Sequence, residues 1–581
     1  MAMADQEHGE ETDQELKPVR PSVSFETITF SDGQTLEFAQ DEIVVFVGPN
    51  NAGKSAALKE LQEFIARSQP QKVVQNATLT KVGTASDLIG YLERTTQKRG
   101  PSHNISYAGM GFEIHHSHVT FFDQPTDRHP IAPFFSHRLA TENRITESNP
   151  AGAIALYSDP PSHPIHLLLM DQVLAGKVSG LFRRAFNKDL IVFRAGGSQF
   201  PLYVGERPPL QSGKDELDKT YVEALLSMAE PLQTQGDGMR SFATVLLYVL
   251  VAEHHSVLFL DEPEAFLHPP QARLLGEYIA RERRGESQLF IATHSTDVLY
   301  GLIAGSTSKV RVIRMQREGD INRVKELSNE RTLAVANDVL TRYSRVFDGI
   351  FYQRVIIAES DSDCMFYSSI LKTRSVTGDR EPDVLFVHAA GKHRMARLAG
   401  TLRALDVHTS VIADVDILNE ESAFRGLIES LGGVWAEVEG NWRAVKTAVE
   451  QVRPPLTADQ VKAMIEAELS AVGGISPFPK ESDRKIRRIF ASVSPWDVVK
   501  QAGRSGIRGA GAVQHFDDLL EKCSQVGLWI VPVGELEGFC RTVQATHGPA
   551  FVERVLEKRE LETDAELEEV RAFMRAIWER A

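Results

Sequence analysis

The residues best suited to chemistry in this chain form a glycine-rich pattern near its N-terminus. The segment Gly48-Pro-Asn-Asn-Ala-Gly-Lys54-Ser55 follows the run Glu42-Ile-Val-Val-Phe-Val47, which is typical of a buried strand, and precedes a helix predicted at 56–64. The glycines allow successive backbone N–H groups to face phosphate oxygens, and the helix N-terminus adds its dipole. We expect Lys54 to reach the β- and γ-phosphates and Ser55 to bind Mg²⁺. The residues predicted to hold ATP and its ion are Gly48, Asn50, Asn51, Gly53, Lys54 and Ser55.

Two later strands are predicted to complete this nucleotide site. The apolar residues 257–260 end at Asp261 and Glu262, as in a core strand that delivers acids at its carboxyl end. We expect Asp261 to organise the Mg²⁺ shell and Glu262 to polarise the attacking water. The next strand, Gln288-Leu-Phe-Ile-Ala-Thr, ends at His294, which is suited to sensing the γ-phosphate.

These three motifs, in this order, resemble the ABC-type ATPases. In that family a glycine-rich signature precedes the acidic strand and completes the nucleotide site of a second subunit. The matching segment here is Gln235-Gly236-Asp237-Gly238-Met239-Arg240-Ser241, before a helix predicted at 242–252. It keeps two glycines, Gly236 and Gly238, but departs from the usual Ser-Gly-Gly-Gln order, so an ordinary turn and helix start is the alternative. The resemblance implies that ATP lies between two protomers of a homodimer or a higher oligomer.

Composition limits the class of protein. The chain has 581 residues, 42% of them apolar and 25% charged, which is typical of a soluble globular protein with two or more domains. There is no run of roughly 18 apolar residues, so we expect no membrane contact and a cytoplasmic location. The three cysteines are too far apart for a disulfide framework or a zinc cluster. A net charge of −15 argues against a protein that coats DNA, but not against a nuclease.

The chain is predicted to contain four segments. Residues 1–20 form a disordered acidic tail, and residues 21–345 form an α/β ATPase domain with a long insertion between the phosphate loop and the signature. Residues 350–545 form a second α/β domain with a basic insertion around 420–525. Residues 546–581 form a C-terminal helical segment. The sequence does not indicate the role of residues 65–230.

The second domain is predicted to hold a cluster of acids at one edge of a parallel sheet. Strands at 353–358, 383–388, 409–413 and 527–533 alternate with helices, and most of the acids follow directly after these strands. Mg²⁺ and Mn²⁺ prefer carboxylate ligands, and two ions about 3.5–4 Å apart assist phosphodiester cleavage. Taken singly, each acid is explained as well by a solvated strand end. The predicted metal ligands are Glu359, Asp363, Asp414, Asp416, Glu535 and Glu537.

This arrangement resembles a Toprim domain, and an ABC-type ATPase followed by Toprim resembles the OLD (overcoming lysogenisation defect) nuclease family, which includes the nuclease subunit of the Gabija antiphage system. The resemblance implies an ATP-regulated DNA endonuclease that defends against phage or foreign DNA. Two Mg²⁺ or Mn²⁺ ions would lie in Toprim, and one would lie with ATP on Ser55 and Asp261. The family also places a lysine near the scissile phosphate. Lys558 is the candidate by order, although a solvated helix face explains it equally well. The implied catalytic residues are Glu262, Glu359, Asp414, Asp416 and Lys558.

Contact with DNA requires a basic surface, and the sequence offers two basic stretches. The first begins at Lys392 and continues to Arg403; the second runs from Lys480 to Arg488 and precedes a glycine-rich stretch at 503–511, predicted to be flexible. A separately encoded helicase-like or accessory defence protein is a further possible partner. Two other functions stay open: a DNA-repair ATPase with nuclease activity, and an ATP-gated sensor or scaffold that binds a phage or partner protein without cutting DNA.

Overall fold

The computed structural model describes residues 19–101, 104–110, 112–124, 128–251, 255–283, 287–306, 308–327, 345–452, 456–474, 477–491, 495–543 and 548–580. Nearly all of the predicted acidic tail, and the end of the predicted ATPase domain after residue 327, lie outside these ranges. The chain divides near residue 330 into two compact units. Unit 1 lies before this position, except for Gly48–Asn50, which group with unit 2, and the rest of unit 2 lies after it.

Unit 1 is a mixed α/β structure. Its strands are β1 (Ser22–Phe30), β2 (Thr35–Glu37), β3 (Ile43–Val47), β4 (Val74–Val82), β5 (Gln97–Arg99), β6 (Ser106–Gly109), β7 (Phe112–His115), β8 (Ser136–Leu139), β9 (Ala151–Gly152), β10 (Asp189–Val192), β11 (Gln199–Phe200), β12 (Leu202–Gly205), β13 (Ala229–Pro231), β14 (Val257–Asp261), β15 (Gln288–Ala292), β16 (Val310–Glu318) and β17 (Ile321–Leu327). Its α-helices are α1 (Lys54–Ala66), α2 (Ala85–Thr95), α3 (Ala132–Phe135), α4 (Thr141–Arg144), α5 (Pro164–Met170), α6 (Gln172–Phe186), α7 (Lys219–Met228), α8 (Asp237–Leu246), α9 (Pro269–Glu282) and α10 (Thr296–Gly305).

The central sheet of unit 1 has six strands in the order β17-β16-β3-β15-β14-β8. All neighbouring pairs are parallel except β16 and β17, which form an antiparallel hairpin. Every residue of β3, β14 and β15 is buried, as expected for parallel strands that are covered on both faces. Phe46 on β3 stacks on Phe290 of β15, with ring centroids 6.2 Å apart, at the centre of the core. Strands β3, β14 and β15 therefore end at the three motifs that are predicted to form the nucleotide site.

Unit 2 contains a smaller parallel sheet. Its strands are β18 (Arg354–Ala358), β19 (Val384–His388), β20 (His408–Ala413) and β21 (Leu528–Ile530). Its α-helices are α11 (Asp361–Leu371), α12 (Arg374–Thr377), α13 (Lys392–Ala404), α14 (Glu421–Ser430), α15 (Trp435–Val452), α16 (Ala458–Val472), α17 (Lys480–Ala491), α18 (Trp496–Ala502), α19 (Ala510–Gln525), α20 (Pro549–Lys558) and α21 (Glu568–Glu579). The strand order is β19-β18-β20-β21, with every pair parallel. The four strands predicted for this domain are confirmed, and their carboxyl ends share one edge.

Three local predictions need correction. The helix after the phosphate loop begins at Lys54, two residues before the predicted start. The helix after the signature begins at Asp237 rather than at residue 242, and it continues into a π-helical turn at Leu247–Val251. The glycine-rich stretch at 503–511, predicted to be flexible, holds a 3₁₀ turn at Gly503–Gly506 and the start of α19.

A helix must be both long and apolar to cross a bilayer. Among the described residues, no single helix has the length together with the apolar character that this requires. By length and composition alone, the pair α5 and α6, bent by 117° at their junction, meets the requirement.

Candidate nucleotide site and candidate metal centre

The phosphate loop turns through backbone conformations that glycine favours. Gly48 and Gly53 have φ values of 139° and 92°, and Asn51 has a φ of 63°. A Cβ on Gly53 would lie 2.4 Å from Nδ2 of Asn322, which donates to the carbonyl oxygen of Ala52 at 2.7 Å. The loop is thus supported from behind by an asparagine of β17 that sequence reasoning missed. Its backbone leads into α1, which begins with the buried Lys54.

The two residues predicted to bind the nucleotide's Mg²⁺ are in contact. Oγ of Ser55 donates to Oδ1 of Asp261 at 2.8 Å, although they are 206 residues apart. Burial raises the pKa of Asp261, and the hydrogen bond from Ser55 opposes that shift. A hydroxyl and a carboxylate are oxygen donors that suit Mg²⁺, so this pair fits the predicted ion.

Glu262 and His294, each predicted to act at the nucleotide, lie next to each other. Glu262 has a left-handed backbone with a φ of 47°, and its N–H donates to the carbonyl oxygen of Ala292 at 2.8 Å. Nε2 of His294 lies 3.5 Å from Oε1 of Glu262. Burial, together with the charge of Lys54, lowers the pKa of His294 to about 4. The imidazole is therefore neutral near pH 7, and its contact with Glu262 is not an ion pair.

Sequence reasoning missed a glutamate that supports this histidine. Oε1 of Glu264 accepts hydrogen bonds from Oγ1 of Thr293 and from the backbone N–H of His294, both at 2.8 Å. Burial raises the pKa of Glu264. The carboxylate thus fixes the turn that carries His294. The acidic pattern Asp-Glu-Pro-Glu was visible in the sequence, but its last member was not assigned a role.

Two arginines near the end of β14 were also missed. Arg144 is fully buried, and its Nη1 and Nη2 donate to the carbonyl oxygens of Asp261 and Glu262 at 2.9 and 2.8 Å. Nη1 of Arg138, on the neighbouring strand β8, lies 3.9 Å from Oδ2 of Asp261. Both arginines come from the long insertion, where no motif marks them.

The signature segment caps a helix in unit 1. Gly236 is the N-cap residue of α8, and open space surrounds the position of its missing Cβ. A Cβ on Gly238 would lie 2.6 Å from the carbonyl oxygen of Phe266, so this position is restricted to glycine by close packing. The contribution of Gly236 and Gly238 to the nucleotide site of a second subunit stays a prediction.

In unit 2, three of the predicted metal ligands converge. Glu359 follows β18, while Asp414 and Asp416 follow the adjacent strand β20. One carboxylate oxygen from each lies within 4.8 Å of the others. Among the side chains that the structure describes, Oδ1 of Asp416 is buried and accepts no hydrogen bond. A buried carboxylate oxygen without a donor, next to two further carboxylates, fits a divalent cation.

Two lysines contact this cluster. Nζ of Lys500 lies 3.0 Å from Oδ2 of Asp414 and 3.7 Å from Oδ2 of Asp416. Nζ of Lys392 lies 3.7 Å from Oδ2 of Asp416 and 2.9 Å from Oε1 of Glu420. Burial raises the pKa of Asp414, and the charge of Lys500 opposes that shift. Burial alone would lower the pKa of Lys500, but the neighbouring carboxylates raise it.

Two close-packed glycines place Lys500 at the acids. A Cβ on Gly503 would lie 2.3 Å from the backbone carbon of Val533, and Gly503 has a φ of 58°. A Cβ on Gly534 would lie 2.0 Å from the carbonyl oxygen of Lys500. The end of α18 therefore packs directly on the loop after β21. That loop in turn meets the acid-bearing turn, because the N–H of Val415 donates to the carbonyl oxygen of Gly534 at 2.9 Å.

Two of the other three predicted ligands accept hydrogen bonds from backbone N–H groups. Asp363 caps its own helix, because its Oδ2 accepts from the N–H of Ser360 at 2.8 Å. Oε1 of Glu537 accepts from the N–H of Gly548 at 2.9 Å, and Glu535 is buried. Burial raises the pKa of Asp363, and the charge of Glu537 adds to this shift. These acids extend the negative region, but the group of oxygens within 4.8 Å of one another does not include them.

The structure brings two lysines other than the predicted Lys558 to the carboxylates. Lys558 is exposed at the end of α20, whereas Lys500 and Lys392 are the lysines in contact with the carboxylates. The predicted order of the motifs led to Lys558, because the family lysine follows the last acids. Lys500 instead precedes Glu535 in sequence and reaches the cluster through the basic insertion.

The basic stretches predicted to contact DNA are partly neutralised. Arg504 forms a bidentate pair with Asp517 at 2.7 and 2.6 Å, and Lys392 is held by acids as described above. In the second stretch, Lys485 lies 3.4 Å from Glu468. The side chains of Arg487 and Arg488 lie outside the described residues.

Comparisons with known proteins support the assignment of unit 1 as an ATPase. The family model described as "AAA domain, putative AbiEii toxin, Type IV TA system" matches residues 43–299. The comparison with curated proteins gave no match.

Among solved structures, the chain is similar to an Smc head bound to the C-winged helix domain of ScpA (12% identity, 53% of this chain and 98% of that chain, TM-score 0.32). It is also similar to the SMC head domain from Thermotoga maritima (10%, 54% and 100%, TM-score 0.27) and to an Smc head domain from Pyrococcus furiosus (10%, 54% and 98%, TM-score 0.31). The segment 43–299 thus matches an AAA-type ATPase domain, and its phosphate loop has the turn geometry of a P-loop.

Proposed function

We propose that this chain is an ATP-regulated, divalent-metal-dependent DNA endonuclease of the OLD type that acts in defence against phage or foreign DNA. The observation that carries this proposal is the convergence of Glu359, Asp414 and Asp416 at the carboxyl edge of a parallel sheet. The proposed domains are the ATPase at 21–345, Toprim at 350–545 and a helical segment at 546–581. ATP would regulate cleavage from a homodimer of ATPase heads, with DNA and a separately encoded accessory protein as partners.

The donor set supports a metal centre in unit 2. Glu359, Asp414 and Asp416 would hold a first Mg²⁺ or Mn²⁺, while Asp363, Glu535 and Glu537 would hold a second. Such ions stabilise the attacking and leaving oxygens of phosphodiester cleavage when bound. The clustering of acids alone does not require metal, since buried acids also occur as structural pairs. The buried and unsatisfied Oδ1 of Asp416 is the feature that favours a cation.

The chain's own cation at this site is proposed to act on the phosphate. Lys500 takes the role that the sequence assigned to Lys558, because its ammonium lies at the carboxylates that would hold the ion. A lysine so placed can pair with a non-bridging phosphate oxygen and neutralise developing charge. Lys392 is held by Glu420 and contacts the same oxygen of Asp416 as Lys500 does, so it would keep that carboxylate in place.

Cleavage of supercoiled plasmid by the purified full-length chain tests the proposal. With Mg²⁺ or Mn²⁺, we expect wild type to cut and Asp414→Asn/Asp416→Asn to lose activity by about 1,000-fold, because several kcal/mol of charge stabilisation disappear. The matched control is Asp379→Asn/Glu381→Gln, which removes two exposed acids of the same unit and should cut like wild type. Equal activity of the two double variants would contradict the proposed metal centre. Plasmid cleavage by Lys54→Ala, measured with and without ATP, then shows whether nucleotide binding activates or inhibits the nuclease.

A sensor or scaffold without nuclease activity is the second candidate. The observation that favours it is that Lys500 and Lys392 form ion pairs with the clustered acids. The positive charges of these lysines balance the negative charge of the acids without a metal ion. In that case the cluster needs no metal. Calorimetric titration with Mn²⁺ separates the two functions: a nuclease should bind the ion through Asp414 and Asp416, whereas a scaffold should show no difference between wild type and Asp414→Asn/Asp416→Asn.

A further inference from the structure

The signature helix α8 and the π-helical turn after it present one polar face to a short segment of the insertion. Arg240, Thr244 and Tyr248 follow one another at intervals of four residues, which places them on the same side of the helix. Each donates a hydrogen bond to the segment 144–147, at 3.2, 2.8 and 2.5 Å respectively. The acceptors are the carbonyl oxygens of Ile145 and Arg144 and the carboxylate of Glu147.

Arg144 connects this segment to the acidic strand. Its carbonyl oxygen accepts from Thr244, and its guanidinium donates to the carbonyl oxygens of Asp261 and Glu262. The side chain is fully buried, so water does not compete for these bonds. The planar guanidinium has its donors in a fixed fork, which holds two successive carbonyl groups at a set angle. The positions of the two acids therefore depend on where residue 144 lies.

The π-helical turn at Leu247–Val251 sets the last of the three contacts. π-Helical turns within α-helices occur frequently at functional sites. Here the turn carries Tyr248, whose ring stacks on His137 with centroids 4.5 Å apart and planes 7° apart. His137 lies on β8, the strand beside β14. The contact therefore links the end of the signature helix to the sheet that carries the acids.

We propose that Arg144 is a positioning residue for ATP hydrolysis, which fixes the backbone of Asp261 and Glu262 and makes their positions depend on the signature helix. In hydrolysis Glu262 would orient the attacking water and Asp261 would hold the nucleotide's ion, so a shift of their backbone would move both groups at once. Small displacements of this kind lower reaction rates strongly while they leave nucleotide binding to the phosphate loop intact. The inference rests on the ATPase function of unit 1 and is independent of the proposed nuclease.

The test is the rate of ATP hydrolysis by the full chain without DNA. Arg144→Lys keeps the charge but cannot donate in parallel to two carbonyl groups. We expect kcat to fall about 100-fold, while the affinity for a fluorescent ATP analogue stays within about threefold of wild type. A folded Arg144→Lys protein whose kcat stays within about twofold of wild type would overturn the proposal.

A matched control separates positioning from general destabilisation. Arg571 in unit 2 is also buried, and its Nη1 and Nη2 donate to the carbonyl oxygens of Leu561 and Asp564, both at 2.9 Å. Arg571→Lys should lower the melting temperature as Arg144→Lys does, yet leave kcat for ATP unchanged. An equal loss of kcat in both variants would mean that Arg144 affects hydrolysis only through the stability of the fold, and it would overturn the proposal.

A double-mutant cycle tests the link to the signature helix. Thr244→Val removes one hydroxyl and keeps the side-chain shape, so it should lower kcat about fivefold alone and have no further effect when combined with Arg144→Lys. If Arg144→Lys does not fold, Tyr248→Phe takes its place in the cycle, and the same non-additivity is expected. Additive losses, or a Thr244→Val enzyme with unchanged kcat, would show that the helix does not act through residue 144. Because the assay contains no DNA, these hydrolysis rates support or overturn the role of Arg144 even for a chain that never cuts DNA.

Discussion

Both units place carboxylates at the carboxyl ends of parallel strands, but they hold these acids by different means. In unit 1, Asp261 is held by the hydroxyl of Ser55, and its backbone is fixed by Arg144. In unit 2, Asp414 and Asp416 are held by the ammonium groups of Lys500 and Lys392. One site is thus organised mainly by hydrogen bonds to fixed groups, and the other by opposite charges on long side chains.

This difference has an energetic consequence. A hydrogen-bonded acid in unit 1 keeps its position when nearby charges change, because its backbone is anchored. The acids of unit 2 repel one another, and removal of a partner from a buried charged group costs several kcal/mol. A divalent cation can replace the lysine charges there. Stability and metal binding should therefore be coupled in unit 2 much more strongly than in unit 1.

The largest expected effect separates the two sites by activity. Asp261→Asn should lower kcat for ATP hydrolysis by about 1,000-fold, because it removes a ligand of the nucleotide's ion. Glu359→Gln should lower DNA cleavage by a similar factor and leave ATP hydrolysis within about twofold of wild type, because it alters only the cluster in unit 2. Both reactions are measured on the same preparations. Loss of ATP hydrolysis in Glu359→Gln would show that the sites share a step.

The next prediction concerns the charge balance of unit 2. Lys500→Met should destabilise the metal-free chain by about 2 kcal/mol, because the partly buried Asp414 loses its ion-pair partner. Addition of Mn²⁺ should restore most of this loss, since the ion supplies the missing positive charge. Melting temperatures with and without Mn²⁺ measure both effects. Lys558→Met, an exposed control, should show neither, and a Lys500→Met protein insensitive to Mn²⁺ would contradict the electrostatic account.

A backbone change sharpens the comparison without altering charge. Gly503→Ala should cost about 2–3 kcal/mol, because Gly503 has a positive φ and its Cβ would collide with the backbone at Val533. Gly236→Ala in unit 1 is the control, since its Cβ would meet open space and its φ is −61°. It should cost less than about 1 kcal/mol as an N-cap substitution. Equal losses in a urea titration would mean that α18 does not depend on close approach to the loop after β21.

The strands and the acids at their ends could be predicted from the sequence, because both depend on local patterns of residues. Apolar runs of three or four residues precede Asp261, Glu359 and Asp414, and each run lies in a buried strand. Parallel strands bring their carboxyl ends to one edge, so the partial convergence of the acids followed from topology. The identity of the lysine that contacts these acids did not follow from topology, because it depends on how the basic insertion packs against the sheet.

The residues that were missed share one physical property: their partners are far away in sequence. Arg144 contacts Asp261 across 117 residues, and no periodicity or motif records such a contact. Lys500 reaches Asp414 only because two glycines permit close packing of α18. The start of α8 was missed for a different reason, since glycine at Gly238 suggested a turn, whereas packing against Phe266 requires glycine within the helix.

The smallest expected effect concerns acid stability and involves unit 1. His163 is the N-cap of α5, where its Nδ1 accepts a hydrogen bond from the N–H of Ile165 at 3.1 Å. Burial, together with the neighbouring His166, lowers the pKa of His163 from 6.5 to about 4. The folded chain therefore favours the neutral imidazole, so the stabilising contribution is complete above about pH 6.5 and is lost as the pH falls towards 4. Acidification from about pH 7 to about pH 5 should cost about 2 kcal/mol through this residue.

Hydrogen exchange at the two pH values, resolved by peptide, places this effect within the chain. After correction for intrinsic exchange rates, protection around α5 should be lower at the acidic pH than at neutral pH. The protection of the sheet of unit 2, corrected in the same way, should not change. His163→Asn supplies the control, because asparagine is a good N-cap that does not titrate. It should abolish the acid-dependent loss around α5 without changing stability near neutral pH by more than about 1 kcal/mol. A pH response that persists in His163→Asn would assign the effect to another group and leave the histidine as a neutral cap alone.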